Sequence, residues 1–381
     1  MDIKMRKTYR LATYMTLCFL IICFSNACQF ARVVRYNFAD INDHKIFPAQ
    51  VLHPSVQPFY FQQTKTPRYP KVIAHDVASD STVFSTYLKE NDTVAFFISY
   101  RDTVHFEEYY QGHRREDVVP SFSIAKSVTS ILVGIAWDQG LIESVNNPVT
   151  QYVPELIDSG FDEITLLHLL QSTSGIKFNE NYINPFGQAA SFYYGDNLRS
   201  QLKKLTPQHP PEHEFKYSSG SSQLLGLVLE RALKGQTLTE YFQETIWTPI
   251  GMEYEGSWST DWGATPLEKT FCCLNATAID YAKIGRLYSH SGKWENQQIV
   301  SKSWVNESTK IDSSDGSDKE YQYQWWTIPG SKAFMATGLL GQYIYIDPAL
   351  DLIIVRLGRS EGNVKDWPLF FQQIAEYYMN S

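Results

Sequence analysis

The sequence predicts an α+β fold, in which strands from both ends of the chain build one antiparallel sheet, flanked by helices, and a mainly helical lobe is inserted between them. Runs of β-forming residues occur near 93–110 and again near 342–357, whereas residues of roughly 141–310 show helical patterns separated by Gly, Pro and Asn. Strands and helices do not alternate along the chain, so a doubly wound parallel sheet is not expected.

The first strands are predicted as a hairpin. Val94–Tyr100 is a run of apolar and β-branched residues typical of a buried strand, and Thr103–Tyr110 is a second β-forming run. Only Arg101 and Asp102 separate the two runs, so we expect a tight turn there.

A helix is predicted to begin near Ser123, after Pro120, and to end at Gly140. Apolar residues at i, i+4, i+7 and i+11 form a stripe that would face a core. The stripe consists of Ile124, Val128, Ile131 and Ile135.

Further helices are predicted in the central lobe and at the C-terminus, together with a second hairpin. The predicted helices are Ile164–Leu170, Gln223–Leu233, Ala276–Tyr288 and Asp366–Tyr378. The hairpin pairs Gln342–Asp347 with Leu352–Leu357 across Pro348–Asp351.

The N-terminal residues differ from the rest of the chain. Four basic residues precede the apolar run Leu11–Phe24, and Ala27 stands before Cys28. This pattern predicts a signal peptide or membrane anchor at residues 1–28, an extended segment at 29–80 and the folded domain at 81–381. A lipoprotein acylated at Cys28, an uncleaved anchor and a soluble secreted protein all remain open, and each places the domain outside the cytoplasm.

Composition excludes some classes of function. The 381 residues carry a net charge of −8 with no basic stripe, so we expect no nucleic-acid partner. No Cys/His cluster has zinc-ligand spacing, and neither a metal nor a cofactor is expected. Cys272 and Cys273 are adjacent, and adjacent cysteines rarely pair, so the domain is expected to fold without disulfides.

The segment from Ser123 to Lys126 carries the first candidate for chemistry. At i and i+3 on a helix the two side chains share a face. Serine needs a nearby base to act as a nucleophile, and a neutral lysine amine can be that base. A serine at a helix N-terminus also offers a backbone N–H to a developing oxyanion. Taken alone, the same spacing suits a helix cap and a surface lysine.

Two further segments complete the candidate site. Tyr217, in Tyr217–Gly220, stands just before a predicted helix and could relay a proton. Ala336–Gln342 leads into the C-terminal hairpin, where small residues let a substrate lie along a strand and a backbone N–H can bind an oxyanion.

In this order the three segments resemble the serine β-lactamase and penicillin-recognising superfamily, in its class C-like branch, and are most similar to 6-aminohexanoate-dimer hydrolase-type enzymes. The resemblance runs from about 90 to 375. The segments that carry it are Phe122–Ser127, Leu169–Gly175, Tyr217–Gly220 with Gln223–Gly226, Cys272–Thr277 with Asp280–Gly285, and Gly341–Tyr345.

The resemblance implies a β-lactamase/transpeptidase-like fold and a serine hydrolase that cleaves an amide or ester of a small molecule. It implies that Ser123 is the acylated nucleophile, Lys126 the base and Tyr217 the proton relay. The backbone amides of Ser123 and Leu339, beside Gly338, would form the oxyanion hole. Ser219 would hold Lys126, and Tyr182 would line the leaving-group side.

Two departures from the family pattern bear on the substrate. Ala336 stands where class C β-lactamases carry Lys and many related esterases carry His, and Ser219 replaces the Asn usual in β-lactamases. The alternatives to an amidase or esterase are a β-lactamase or D-Ala carboxypeptidase and, in another class, a non-catalytic envelope binding protein. The sequence does not indicate an oligomeric state.

Overall fold

The computed structural model describes residues 32–33, 35–36, 38–66, 68, 70, 81–314 and 316–380, with the side chains of residues 81 and 82 left aside. The predicted signal peptide or anchor at 1–28 lies outside the described residues. Among the residues that are described, no helix has the length and apolar character needed to cross a bilayer. The division of the chain at residues 28 and 80 stays a prediction.

The structure contains strands and helices throughout its described length. The strands are β1 Ala49–Leu52, β2 Gln62–Gln63, β3 Thr93–Tyr100, β4 Thr103–Tyr109, β5 Val119–Pro120, β6 Gly256–Ser259, β7 Leu274–Ala276, β8 Lys293–Trp294, β9 Gln297–Gln298, β10 Tyr321–Gln322, β11 Trp325–Thr327, β12 Phe334–Gly338, β13 Gln342–Asp347 and β14 Leu352–Gly358. The α-helices are α1 Ser81–Glu90, α2 Ile124–Asp138, α3 Leu166–Gln171, α4 Gln188–Tyr194, α5 Leu198–Leu202, α6 Ser219–Ala232, α7 Leu238–Phe242, α8 Ala278–Ser289, α9 Lys302–Thr309 and α10 Trp367–Met379.

One large sheet joins the two ends of the domain. Its eight strands lie in the order β10-β11-β12-β13-β14-β3-β4-β2, and every neighbouring pair is antiparallel except β2 with β4. The central pairing places β14 directly beside β3, with Ile354 opposite Ile98. The predicted α+β class and the sheet built from both chain ends are therefore confirmed.

Helices cover both faces of this sheet. On one face α1 and α10 pack aromatic side chains such as Phe84 and Phe371 against β3 and β13. On the other face α2 and α8 contact the sheet, and Gly285 of α8 leaves no room for a side chain beside Ile353 and Ile344. These helices hold the sheet between two apolar layers, and α2 carries the candidate nucleophile.

Most predicted elements occur within a few residues of their expected positions. The turn between β3 and β4 is tight because Arg101 and Asp102 both adopt positive φ, 51° and 58°, which suits a two-residue hairpin. The helix expected near Ser123 ends at Asp138, and Gly140 follows it at φ +71°.

Sequence analysis missed several short elements. Helix α1 was not anticipated, and the segment 141–310 contains β6 and β7 as well as helices. These two strands form a second sheet in the order β1-β6-β7-β5. Strand β1, from the segment expected to be extended, pairs with β6 in this sheet, and β5 leads directly to the candidate nucleophile.

Candidate active site

The candidate nucleophile lies at a sharp turn between β5 and α2. Phe122 adopts φ +45°, which is uncommon for an aromatic residue, and Ser123 is the N-cap residue of α2. The Ser123 side chain makes no capping hydrogen bond. Its hydroxyl oxygen, Oγ, is therefore not engaged by the end of its own helix and is available for chemistry.

Lys126 contacts this hydroxyl. The lysine is buried, with 2% of its surface exposed, and its Nζ donates hydrogen bonds to Ser123 Oγ over 2.9 Å and to the Phe271 carbonyl over 2.7 Å. Within the described part of the chain no carboxylate forms an ion pair with Lys126. Lys126 is therefore buried with two neutral hydrogen-bond partners, one of which is the hydroxyl of Ser123.

The end of β12 packs against the nucleophile turn. A side chain at Gly338 would collide with the Ser121 carbonyl oxygen and approach Phe122 Cβ. Among the described residues, neither the Ser123 amide nor the Leu339 amide donates a hydrogen bond to another protein group. Two free N–H groups at adjoining turns suit an oxyanion hole.

Tyr217 lies beside Lys126. The Lys126 Nζ is 4.9 Å from the centre of the Tyr217 ring. Tyr217 is half-buried, its ring stacks on Trp326 at 5.9 Å, and it meets Tyr321 edge-on. These two aromatic contacts hold the Tyr217 ring beside the lysine.

Glu180 is a site residue that sequence analysis missed. Its carboxylate accepts hydrogen bonds from the Ser219 amide, from Ser219 Oγ at 3.1 Å and from the Tyr182 hydroxyl. Partial burial, together with this carboxylate, raises the pKa of Tyr182 above its usual range. Glu180 and Ser219 are 39 residues apart, and no spacing in the sequence connects them.

This network corrects the role expected for Ser219. The Ser219 hydroxyl donates a hydrogen bond to Glu180, whereas the Lys126 amine donates to Ser123 Oγ and to the Phe271 carbonyl. The Glu180 carboxylate accepts the hydrogen bond of the Ser219 amide at the N-terminus of α6. Ser219 therefore anchors the loop at 180–182 to α6.

The expectation that the domain folds without disulfides is wrong. Cys272 and Cys273 are joined by a disulfide, and both are buried. Cys273 adopts φ +73° in the turn before β7, and the two Cα atoms are 3.7 Å apart. The disulfide therefore closes the chain directly after Phe271, whose carbonyl accepts a hydrogen bond from Lys126.

A cavity of about 680 Å³ opens over Ser123. Its lining is aromatic, aliphatic or small, and the polar side chains in it are hydroxyls. Of the residues the structure describes, those that line it include no Lys, Arg, His, Asp or Glu. The lining residues are Val33, Phe38, Ala39, Phe122, Ser123, Tyr182, Ile183, Pro185, Ala189, Ala190, Tyr193, Tyr194, Tyr217, Ser219, Phe271, Cys272, Trp326, Thr337, Gly338, Leu339 and Leu340.

All of the predicted site residues except Lys126 line this cavity, and Lys126 lies directly behind Ser123. Sequence analysis did not anticipate that Val33, Phe38 and Ala39 would form part of the wall. No periodic pattern marks these residues, which lie before β1 and far from the catalytic motifs in the sequence.

One cluster has the residue types of a metal site. Ligand atoms of Asp102, His290 and Asp351 lie within 4.8 Å of one another. Arg286 binds both oxygens of Asp102, and Asp351 accepts a hydrogen bond from Ser289 and lies 3.0 Å from His290. These partners account for the cluster, which does not line the cavity over Ser123.

Comparison with known proteins gives consistent matches. The family model described as Beta-lactamase matches residues 83–378. The 6-aminohexanoate-dimer hydrolase of Paenarthrobacter ureafaciens is 26% identical over 325 residues, which are 79% of this chain and 82% of that protein.

Solved structures share the fold. A Bacillus anthracis protein provisionally named as a 6-aminohexanoate-dimer hydrolase has a TM-score of 0.75 and 21% identity, covering 91% of this chain and 94% of its own. A family VIII carboxylesterase has a TM-score of 0.61 and 17% identity, covering 78% and 95%. Because the family model matches most of its length, the chain belongs to the Beta-lactamase family and is a serine hydrolase.

Proposed function

We propose that the chain cleaves a small neutral amide or ester through an acyl-enzyme formed on Ser123. The distance of 2.9 Å between Lys126 Nζ and Ser123 Oγ is the observation that carries this proposal. It brings a buried amine within proton-transfer reach of the hydroxyl. A binding protein without activity would not need this contact, which costs the burial of an unpaired lysine.

The reaction has two steps, which are formation of the acyl-enzyme on Ser123 and its hydrolysis by water. A neutral Lys126 amine can donate one N–H to the Phe271 carbonyl and accept the hydroxyl proton of Ser123 through its lone pair. Ser123 Oγ then bonds to the substrate carbonyl carbon, and the negative oxygen is held by the amides of Ser123 and Leu339.

The leaving group then departs. Tyr217 donates a proton to the departing nitrogen or oxygen and recovers one from Lys126, so the acyl-enzyme forms with no net change in protons. Water attacks the acyl carbon in the second step, its proton passes to the same base, and Ser123 is released with its hydroxyl restored.

The neutral lining supports the substrate class. The relative in Paenarthrobacter ureafaciens is named for the 6-aminohexanoate dimer, a linear amide with an amine and a carboxyl group. We propose that this chain acts on linear amides or esters without charged ends, because the described lining of the cavity carries no charged side chain to bind such an end.

A β-lactamase is the second candidate, since relatives of that name from Pseudomonas fluorescens and Yersinia enterocolitica are each 28% identical over about a third of this chain. Ala336 is fully buried in β12, where a cation for the carboxylate of a β-lactam would be needed. Loss of such a contact costs about 1.5–3 kcal/mol, or roughly 10- to 150-fold in rate. We therefore expect ester turnover to exceed nitrocefin turnover.

One experiment tests the assignment. A fluorophosphonate probe should label the wild-type protein and fail to label Ser123→Ala, and the wild type should hydrolyse p-nitrophenyl acetate. Ser130→Ala is the matched control, because Ser130 is buried in the same helix one turn beyond Lys126. Ester hydrolysis that survives in a folded Ser123→Ala protein would refute the assignment.

We also propose that the protein is exported and stays attached to the membrane at its N-terminus. The basic residues and the apolar run Leu11–Phe24 support this, and Cys28 offers a site for diacylation. Cys28→Ser should abolish palmitate labelling of a lipoprotein, whereas an uncleaved anchor would be unaffected. Recovery of the wild type only in the soluble fraction would contradict both forms of attachment.

A further inference from the structure

Large apolar side chains are exposed around the mouth of the cavity. Phe38, Ile183 and Leu339 have 59%, 76% and 41% of their surfaces exposed, and each lines the cavity over Ser123. Phe186, just beyond the lining residue Pro185, is 75% exposed. Contiguous exposed apolar surface on a folded protein usually marks an interaction site. We call Phe38, Ile183, Phe186 and Leu339 the cavity rim.

The N-terminal end of the described chain is held beside the same cavity. The Arg32 guanidinium donates to the Tyr194 carbonyl over 2.7 Å, pairs with the Asp196 carboxylate and lies 3.9 Å from the centre of the Trp262 ring. Tyr194 lines the cavity, and so does Val33, the residue that follows Arg32 in the chain. The chain that continues toward the proposed membrane attachment therefore starts at the cavity wall.

The length of that chain limits how far the cavity can lie from the bilayer. Val33 follows Cys28 by five residues, which span at most about 18 Å when fully extended. If the apolar run is an uncleaved anchor, Val33 follows Phe24 by nine residues, which span at most about 32 Å. In both cases the cavity wall stays close to the lipid headgroups.

We infer that the cavity rim faces the membrane and that the substrate is an amphiphile drawn from it, an amide or ester carrying a long apolar chain. The rim would contact lipid, the aromatic walls would receive the chain, and the carbonyl would reach Ser123. The neutral lining suits an alkyl chain because no buried charge has to be desolvated when it enters. The inference rests on the proposed function and on attachment at the N-terminus.

The first test compares two substrates. The full-length protein is reconstituted into phosphatidylethanolamine/phosphatidylglycerol vesicles and assayed with p-nitrophenyl decanoate, which partitions into lipid, and with p-nitrophenyl acetate, which stays in water. For Phe38→Ser/Ile183→Ser we expect the ratio of kcat/KM for decanoate to that for acetate to fall by about tenfold or more. Val56→Ser, at a residue that is 93% exposed but outside the cavity lining, should leave the ratio unchanged.

The second test moves the domain away from the bilayer. A rigid helical spacer of four Glu-Ala-Ala-Ala-Lys repeats inserted after Gln29 adds about 30 Å where it is helical. We expect decanoate turnover in vesicles to fall several-fold and acetate turnover to stay at the wild-type level, since the described structure begins beyond the insertion.

The outcomes separate the two proposals. If acetate hydrolysis depends on Ser123 but neither the rim variant nor the spacer changes the decanoate ratio, the membrane-facing cavity is refuted and the hydrolase stands. If the rim variant instead converts a dimer into a monomer in detergent, with the ratio unchanged, a second copy covers the rim and the inference is wrong. Acetate hydrolysis that does not depend on Ser123 refutes the proposed function itself.

Discussion

Gly338, the last residue of β12, packs against the carbonyl oxygen of Ser121 in the turn that presents Ser123. The contact leaves no space for a Cβ atom. Because Leu339 follows Gly338 directly, this contact sets the distance between the two amides proposed to bind the oxyanion. The eight-stranded sheet, through β12, thus packs against the turn that follows β5 of the four-stranded sheet, at the candidate catalytic centre.

Substituting Gly338 should therefore lower kcat more than it lowers the free energy of unfolding. In Gly338→Ala the new methyl group would push β12 away from the turn, and loss of one oxyanion donor lowers kcat by about 10²–10³-fold. The kcat for p-nitrophenyl acetate is the measurement. Gly263→Ala is the control, since a Cβ there meets only ordinary contacts near 3.4 Å. A wild-type kcat in Gly338→Ala would mean that Leu339 contributes no donor.

Lys126→Arg should be nearly inactive. A guanidinium keeps its proton at any pH at which the protein is folded, so it cannot accept the proton of Ser123. Activity should be measured from pH 6 to 10, beside Lys177→Arg, which changes an exposed lysine. If Lys126→Arg retains substantial activity, the lysine acts only as a fixed positive charge.

Glu180 should act as a positioning residue for Tyr182 and the start of α6. Glu180→Gln places an NH₂ group where the carboxylate accepts hydrogen bonds, so we expect kcat/KM to fall about tenfold and stability by about 1–2 kcal/mol. The coupling is tested with Tyr182→Phe. Because the Glu180 and Tyr182 side chains are hydrogen-bonded, the double variant should lose less kcat/KM and less stability than the sum of the two single variants. Additive effects of the two substitutions would contradict the positioning role of Glu180. Glu212→Gln, at an exposed glutamate, is the control.

Lys269 should make stability depend on pH. Burial, opposed in part by Asp261, lowers the pKa of Lys269 to about 7 from an ordinary value of 10.5, and its Nζ lies 4.3 Å from the centre of the Phe47 ring. Between these two values the unfolded chain binds a proton that the folded chain does not. The free energy of unfolding contributed by this residue therefore rises with pH across that window, by at most about 1.4 kcal/mol per unit.

Denaturant unfolding at pH 7, 8 and 9 tests this prediction. The difference in unfolding free energy between wild type and Lys269→Met should shift in favour of wild type as the pH rises, because Met does not titrate. A difference that stays constant from pH 7 to 9 would show that Lys269 remains charged inside the fold.

Features set by neighbouring residues could be read from the sequence. The Ser123–Lys126 contact was predictable because residues three apart on a helix share a face, and the helix is marked by its apolar stripe. The β3–β4 hairpin was predictable for the same reason, since two strand-forming runs are separated by only two residues. The family motifs extended this reading to Tyr217 and Leu339, which local patterns alone left ambiguous.

The tertiary structure decided what depends on distant segments meeting. The Phe271 carbonyl that binds Lys126 lies 145 residues along the chain, and Glu180 reaches Ser219 across 39 residues. The Cys272–Cys273 bond forms in a turn where Cys273 adopts a positive φ, which the sequence does not indicate. Sequence by itself determined the class of fold and the contact between Ser123 and Lys126, because local spacing and periodicity encode them. Only the packing of remote, aperiodic loops decided the cavity, its neutral walls and its rim beside the N-terminal segment, since no short-range pattern specifies which loops will touch.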